Sequence, residues 1–573
     1  MSKSPSRVET KPRFHPIWWV LIAIAAGKAV LTIYGPALHG PFLFDDFSLP
    51  FYNPNSRVDE LWPWLRGVRP LLMFSYWVNY TFAGKSTLWY HLFNLTFHTI
   101  NSFLVYRIVS RLIDMAGVVD WRRSILPAFA GALFLLHPVQ TESVAYIAGR
   151  SESLSALFFL SALAIYLDRS GPEIRWGRAG AVLALFAAAV CTKEHTVTLP
   201  AVLLLTDMIW RHENPITSMR RNWRLYGPLA AATALAAVSV GVVLSNASTA
   251  GFRIQDVTWY RYFLTQCWGI FVYVRLFFFP AWQNLDYDIP LSTVGDFRSW
   301  IGLITLIGLG GLAYRFRRRY PLPAYGYFIF LILLAPTSSI VPIRDLIAER
   351  RLYLPMLGLL LVTTGLLIQL RTMSRNALIG LASVVLVIAS ALTYQRNQLW
   401  RSESAIWEDT LAKSPRKVRG YQHLVHGYVS EHRCLEATQR LEQFAKDNPV
   451  DANLLIHWAF ASECLNRKSE SLQKLDQASK MTQDPRVLMM IAEHEIRLKG
   501  FDGALNVISA ALKMNPEMDA AYVLRADLYL QEGRLSLAIQ DYEQALRANP
   551  ENDRARHQLR WLKAAFIAPP EKS

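Results

Sequence analysis

Two adjacent carboxylates, Asp45 and Asp46, stand in the run PFLFDDFSLPFY just beyond the first long apolar stretch of this chain. Side by side at the edge of a bilayer they repel one another where the dielectric falls, so at least one is expected to hold its proton tightly and to serve as a general base. A solvated acidic loop would read the same way if the pair stood alone. It does not: Arg66 and Arg69 follow in LRGVRPLLMFSYWVNY, and three more polar clusters interrupt apolar sequence. The first is HPVQTESVAYIAGRSES with His137, Glu142 and Arg150, the second TKEHT with Lys193, Glu194 and His195. The third, SSIVPIRDLIAERRLYLP, carries Arg344, Asp345, Glu349, Arg350 and Arg351. Adjacent guanidiniums suit a lipid phosphate or pyrophosphate, which arginine grips through two parallel bonds. Each residue also has a plainer role: His137 ends a helix before Pro138, Glu142 caps the next, Lys193 pairs with Glu194, and the arginines snorkel to headgroups. Taken together they offer acids for proton abstraction and cations for an anionic leaving group. Those are the needs of a sugar moving from a lipid phosphate to a hydroxyl.

The elements that must position these residues are membrane helices. With 573 residues, 52% of them hydrophobic, the chain is too apolar for a soluble protein of its size and long enough for a second domain. Its net charge of +16 gathers as arginines in short loops between apolar runs, which reports orientation rather than a nucleic-acid partner. Apolar runs fall near 17–34, 88–109, 125–138, 152–167, 178–192, 195–210, 226–246, 299–314, 322–341, 352–370 and 375–395, a count of about eleven spans. Lys3, Arg7, Lys11 and Arg13 precede the first, which reads as a retained anchor rather than a cleaved signal. A twelfth stretch, 258–282, holds Arg261 and Arg275 and suits an interfacial helix. With a cytoplasmic N-terminus and that stretch not crossing, the inner loops hold Arg107, Arg111, Arg122 and Arg123, then Arg169, Arg175 and Arg178, then Arg211, Arg220, Arg221 and Arg224, then Arg315 to Arg319, then Arg371 and Arg375. The positive-inside rule is met at every turn, and all four polar clusters fall on the outer face.

Beyond about Arg396 the pattern changes. Prolines at 415, 449, 485, 516 and 550 are 34, 36, 31 and 34 residues apart, each closing a pair of short amphipathic segments. This is the tetratricopeptide period, and stacked pairs of this kind present a concave surface to peptides. In the last unit Tyr522, Leu528, Gly533, Ala538, Tyr542 and Ala545 stand where paired helices meet, and DRARHQLRWLKAAF reads as a capping helix. The fold class is therefore all-α: a polytopic helical membrane domain over 1–398 and a repeat solenoid over 399–573. The four cysteines, Cys191, Cys267, Cys434 and Cys464, have no metal-ligand spacing, and a Cys434–Cys464 bridge is left open. No P-loop or dinucleotide fingerprint is present, which fits a lipid-linked donor rather than a cytoplasmic nucleotide.

FLFDD, VRPLLMFSYWVNY with YHLFNLTFHTINS, HPVQTESVAYIAGRSESLSALFF, CTKEHTVTLP and PTSSIVPIRDLIAERRLYLP, in that order and with a repeat behind them, closely resemble the transmembrane and tetratricopeptide-repeat O-mannosyltransferases called TMTC. The resemblance implies a GT-C fold, a polyprenyl-phosphate-linked sugar donor, and no certain cofactor, with a divalent cation left open and no metal ligands assigned. It implies Asp45 or Asp46 as the general base toward a Ser or Thr hydroxyl. Arg69 stands in the VRPLLMFSYWVNY block, while His137, Glu142, Lys193, Glu194, Arg350 and Arg351 match the later blocks; together they are expected to line the donor and phosphate pocket. The short repeat suggests a bacterial member, in an inner membrane with site and repeat periplasmic and an exported protein or peptide as acceptor. Gln140 and His195 depart from the residues expected in the animal relatives, and the sugar stays open. Two other readings stand beside this one: the same donor chemistry on an envelope lipid or polysaccharide, and a non-enzymatic scaffold presenting the repeat. A transporter ranks last, since no pair of discontinuous helices stands in matching halves.

Overall fold

The computed structural model describes residues 16–52, 57–246, 250–252, 254 and 257–567; Lys3, Arg7, Lys11 and Arg13 lie outside the described residues. Among the described residues the chain is built of helices and turns, with one isolated β-bridge between Ala250 and Ile343. It divides into two compact units, residues 1–415 and 416–573.

In the first unit each of the eleven apolar stretches holds a helix, from Pro16–Tyr34 to Arg375–Leu399. Their lengths differ in a way hydropathy did not resolve. Four helical segments among the described residues are long and apolar enough to cross a membrane: Ile147–Leu167, Trp223–Val242, Phe297–Phe316 and Arg375–Leu399. A fifth is reached if Arg122–Leu136 and Pro138–Ala145, bent by 46° at His137, count as one. Trp176–Val190, Pro321–Leu334 and Met356–Gln369 have 15, 14 and 14 residues. At 1.5 Å per residue such helices reach about 21–23 Å, short of a hydrocarbon core of about 30 Å. The sequence runs 322–341 and 352–370 merged loop residues into the last two of these helices.

Where helices meet closely, glycine permits it. A Cβ on Gly326 would lie 2.5 Å from the Gly358 carbonyl oxygen, and one on Gly358 would lie 2.5 Å from that of Gly326. Helices Pro321–Leu334 and Met356–Gln369 therefore touch backbone to backbone, the small-residue contact that apolar helices use in lipid. On Phe297–Phe316 the residues Ile301, Ile304 and Ile307 are exposed, an apolar face in the manner of a lipid-facing helix. The stretch 258–282 forms the helix Trp259–Phe278, whose Arg261 donates to the Leu291 and Ser292 carbonyls and Arg275 to that of Ala281.

Two arginines counted as loop charges are structural instead. Arg169, 2% exposed, pairs with the fully buried Asp207, which also accepts from Tyr166 at 2.6 Å and from Ser218. Arg211 sits 3.6 Å from the same carboxylate. The division between units also falls later than the expected 398. Helix Glu403–Lys413 belongs to the first unit, tied there by Arg396 Nη1 donating to Asp409 at 2.7 Å and by Lys413 Nζ donating to the Gln283 carbonyl at 2.7 Å.

The second unit is four helix pairs and a cap: Val418–Ser430 with Cys434–Asp447, Ala452–Cys464 with Lys468–Met481, Pro485–Arg497 with Phe501–Met514, Asp519–Gln531 with Leu535–Ala548, and Asp553–Ile567. Buried alanines recur where the helices cross, among them Ala437, Ala459, Ala492, Ala504, Ala526 and Ala538. Pro485 opens a helix rather than closing a pair; its missing N–H is harmless in a first turn. Cys434 and Cys464, at the start of one helix and the end of the next, form a disulfide with Cα atoms 5.8 Å apart.

Candidate active site

The two aspartates share one short 3-10 turn, Phe44–Ser48, and differ completely in environment. Asp46 is 1% exposed; its Oδ2 accepts the Leu43 N–H at 2.8 Å, and the Ala148 backbone N–H also acts on the carboxyl. Burial, with Asp45 adding to it, pushes the Asp46 carboxyl well above the ordinary aspartate range. Asp45 is exposed, and its backbone N–H donates to the Tyr146 hydroxyl at 2.8 Å.

Arg69 precedes the helix Pro70–Ala83, and the Leu71 N–H donates to the Cys191 carbonyl at 3.2 Å, which brings the arginine to the TKEHT turn. There Arg69 Nε and Nη2 each donate to Glu194 at 2.9 Å, a two-bond grip. Burial pulls the Glu194 carboxyl upward, but Arg69 more than offsets it and leaves the group below its usual value. Lys193 turns inward, its Nζ 2.5 Å from Glu152 Oε1 and 3.1 Å from Ser151 Oγ. Burial lowers the affinity of this ammonium for its proton, against the pull of Glu152. His195 Nε2 lies 3.8 Å from the other Glu152 oxygen.

The third group is centred on Arg350. Glu142, 2% exposed, accepts both the Arg350 backbone N–H at 3.0 Å and its Nη1 at 2.6 Å, while Nη2 reaches Asp345 at 3.3 Å. Glu349 beside it is buried and accepts from Gln283 Nε2, the Asn284 N–H and the Tyr287 hydroxyl at 2.7, 2.6 and 2.7 Å. These groups form one electrostatic neighbourhood: Arg350 acts on Lys193, Glu152 and Tyr146, and Arg69 feels both Asp45 and Glu152.

Thus Asp45, Asp46, Arg69, Glu142, Lys193, Glu194 and Arg350 come together. Two of the expected residues do not join them. The Arg351 guanidinium is occupied by the carbonyls of Asp345, Leu346 and Thr337 at 2.6, 3.2 and 3.3 Å, which leaves it holding the loop rather than facing a phosphate. His137 stacks on Phe277 and accepts the Val139 N–H, shaping the bend between its two helices. It borders an apolar crevice of about 330 Å³ whose walls include Phe129, Leu133, Phe278 and Val385. Arg150 is fully buried, donating to Asn94 Oδ1 and to the Ser75 and Tyr90 carbonyls. Glu152 and Tyr146 were missed by sequence reasoning. A carboxylate in the first turn of an apolar helix was the available signal for Glu152; nothing marked Tyr146 among the aromatics. Among the described residues no group of three or more His, Cys, Asp and Glu side chains is arranged to hold a metal ion.

The fold and site define an all-helical protein with membrane-length apolar helices, a polar cluster built from their connecting turns, and a tetratricopeptide solenoid. A Tetratricopeptide repeat family model matches residues 489–565. Human protein O-mannosyl-transferase TMTC3 is 22% identical, the match covering 91% of this chain and 64% of that one. Drosophila melanogaster Tmtc3 is 23% identical over 86% of this chain and 61% of its own, and Drosophila Tmtc2 is 33% identical over 25% of this chain and 15% of its own. Among solved structures, the tetratricopeptide protein YrrB aligns with 30% of this chain and 90% of its own at 17% identity and a TM-score of 0.24. The chain is similar to these O-mannosyl-transferases over most of its length, and it spans about three fifths of the length of the curated relatives that match it throughout.

Proposed function

We propose that this chain is a membrane-embedded glycosyltransferase that moves a sugar from a polyprenyl-phosphate donor to Ser or Thr hydroxyls of proteins, with Asp45 as general base. The observation that carries the reading is the split character of the aspartate pair beside three cation–carboxylate pairs. Asp45 is exposed to an incoming hydroxyl, whereas Asp46 is sealed and burial pushes its carboxyl well above the ordinary aspartate range. In the reaction Asp45 takes the hydroxyl proton, the hydroxyl oxygen bonds to the anomeric carbon, and the carbon–oxygen bond to phosphate breaks with its electron pair leaving on the lipid phosphate. Glu194 engages Nε and Nη2 of Arg69, which leaves Nη1 to meet that phosphate; Lys193 and Arg350 add positive potential behind it. The apolar crevice at His137 offers room for part of an isoprenoid chain.

The names of the relatives support a protein acceptor and mannose as the first sugar to try, and the repeat unit is suited to holding a peptide. An arrangement in which the arginine-rich loops face the cytoplasm would put the site and the repeat outside it, in a bacterium the periplasm. The Cys434–Cys464 disulfide favours that side, because such bonds persist in oxidising compartments. The test compares exported proteins, by mass spectrometry of Ser and Thr peptides, from cells carrying the normal chain and cells carrying Asp45→Asn with Asp46→Asn. Loss of a hexose mass in the variant alone supports the reading; unchanged protein glycans with altered envelope lipids would move the acceptor to a lipid or polysaccharide.

A further inference from the structure

The segment between the last long apolar helix and the repeat, which the sequence boundary at 398 assigns to the solenoid, is built into the site. Phe44, the residue before Asp45, has a backbone φ of 49°, a left-handed conformation that a bulky side chain adopts only when its surroundings impose it. What surrounds it is aromatic. Its ring centroid lies 4.8 Å from that of Trp407, on helix Glu403–Lys413, and 6.4 Å from that of Tyr146. Tyr146, whose hydroxyl accepts the Asp45 N–H, stacks in turn on Trp400 at 6.1 Å and 22°. Trp400 and Trp407 are 1% and 0% exposed. The chain entering the turn is seated on the same segment: a Cβ on Gly40 would meet the Trp400 carbonyl oxygen at 2.4 Å, and Asn397 Nδ2 donates to the Ile33 carbonyl at 3.0 Å. At its far end the segment reaches the other pole of the site. Lys413 Nζ donates to the Gln283 carbonyl, and Asn284 Nδ2 to Ser414 Oγ, both at 2.7 Å. Gln283 and Asn284 are the residues that hold Glu349, the neighbour of Arg350.

We propose that Trp407 is a positioning residue for the Asp45 turn, its indole holding Phe44 in the left-handed conformation that aims the Asp45 carboxylate outward. The structural part stands on the contacts above; only its kinetic consequence rests on the glycosyltransferase reading. The loss of an indole wall frees Phe44 to leave the left-handed region, and the Asp45 N–H then parts from Tyr146. A phenylalanine at 407 keeps an aromatic wall and is expected to keep the turn.

The test uses the full chain in lipid nanodiscs, as wild type, Trp407→Ala and Trp407→Phe. Hydrogen–deuterium exchange is followed in peptides spanning 42–49, with peptides from 321–334 as an internal control. The expected result is at least tenfold faster exchange at 42–49 in Trp407→Ala, near-wild-type exchange in Trp407→Phe, and an unchanged control. With polyprenyl-phosphate mannose as donor probe and a Ser/Thr peptide as acceptor probe, kcat falls at least tenfold in Trp407→Ala while the donor KM stays within twofold. Unchanged exchange at 42–49 in Trp407→Ala overturns the proposal. So does faster exchange throughout 16–415, which would make Trp407 a support of the whole unit rather than of this turn. Selective loosening at 42–49 in a chain whose wild type transfers no sugar upholds the positioning role and counts against the glycosyltransferase reading instead.

Discussion

Asp45 and Asp46 are chemically identical and adjacent, yet one faces outward and the other is sealed, so burial alone gives them different surroundings. The same physics acts in the repeat unit at Glu495, 5% exposed and packed so closely that a Cβ on Gly503 would lie 2.8 Å from its Oε2. Burial, aided by Asp476, raises this carboxyl from 4.5 to about 7. Because the folded state holds the proton more tightly, its contribution to stability is complete below about pH 4.5 and is lost as pH rises through about 7. Thermal melts of the full chain between pH 5 and 8 are expected to show the repeat transition falling over this range, and Glu495→Gln is expected to flatten the fall. An identical slope in the variant would assign the dependence to another group. At this scale the sequence named most of the site but not its pairings. Arg69 with Glu194 and Glu142 with Arg350 are 125 and 208 residues apart, and no local pattern links such partners. Arg351 looked equivalent to Arg350 because side-chain type is visible in sequence and the carbonyls that occupy a guanidinium are not.

Among the elements, helices were legible from apolar length and repeats from proline spacing, while boundaries were not. Helix Glu403–Lys413, ESAIWEDTLAK, follows the last apolar run, so the sequence boundary at 398 placed it with the solenoid although its buried face belongs to the first unit. Arg169 likewise counted as a loop charge because its buried carboxylate partner, Asp207, sits a helix away, and Arg211, four residues from the same carboxylate, shares it. The contact between Pro321–Leu334 and Met356–Gln369 gives a direct test of element packing. Gly358→Ala puts a methyl 2.5 Å from the Gly326 carbonyl oxygen and 2.7 Å from the Phe330 nitrogen, both backbone atoms that cannot swing aside. Overpacking of this kind costs about 1–3 kcal/mol. A lowered melting temperature of the first unit in detergent, with the repeat transition unmoved, is the expected outcome; an unshifted melt would show that the helices separate without cost.

The whole molecule carries a membrane unit that gathers acids and cations and a repeat unit of the kind suited to peptides. On the proposed mechanism Asp45 takes the acceptor proton while the buried Asp46 shapes the turn. Asparagine resembles a protonated aspartate closely and an ionised one poorly, so the two single substitutions separate these roles. The most direct measurement is therefore the rate of mannose transfer from polyprenyl-phosphate mannose to a Ser/Thr peptide at neutral pH by purified Asp45→Asn and Asp46→Asn chains. Asp45→Asn is expected to lose about 10²–10⁴-fold, the usual worth of a general base, and Asp46→Asn to stay within about tenfold of wild type. Loss of transfer in Asp46→Asn with Asp45→Asn still active would contradict this assignment and give the base to the buried residue.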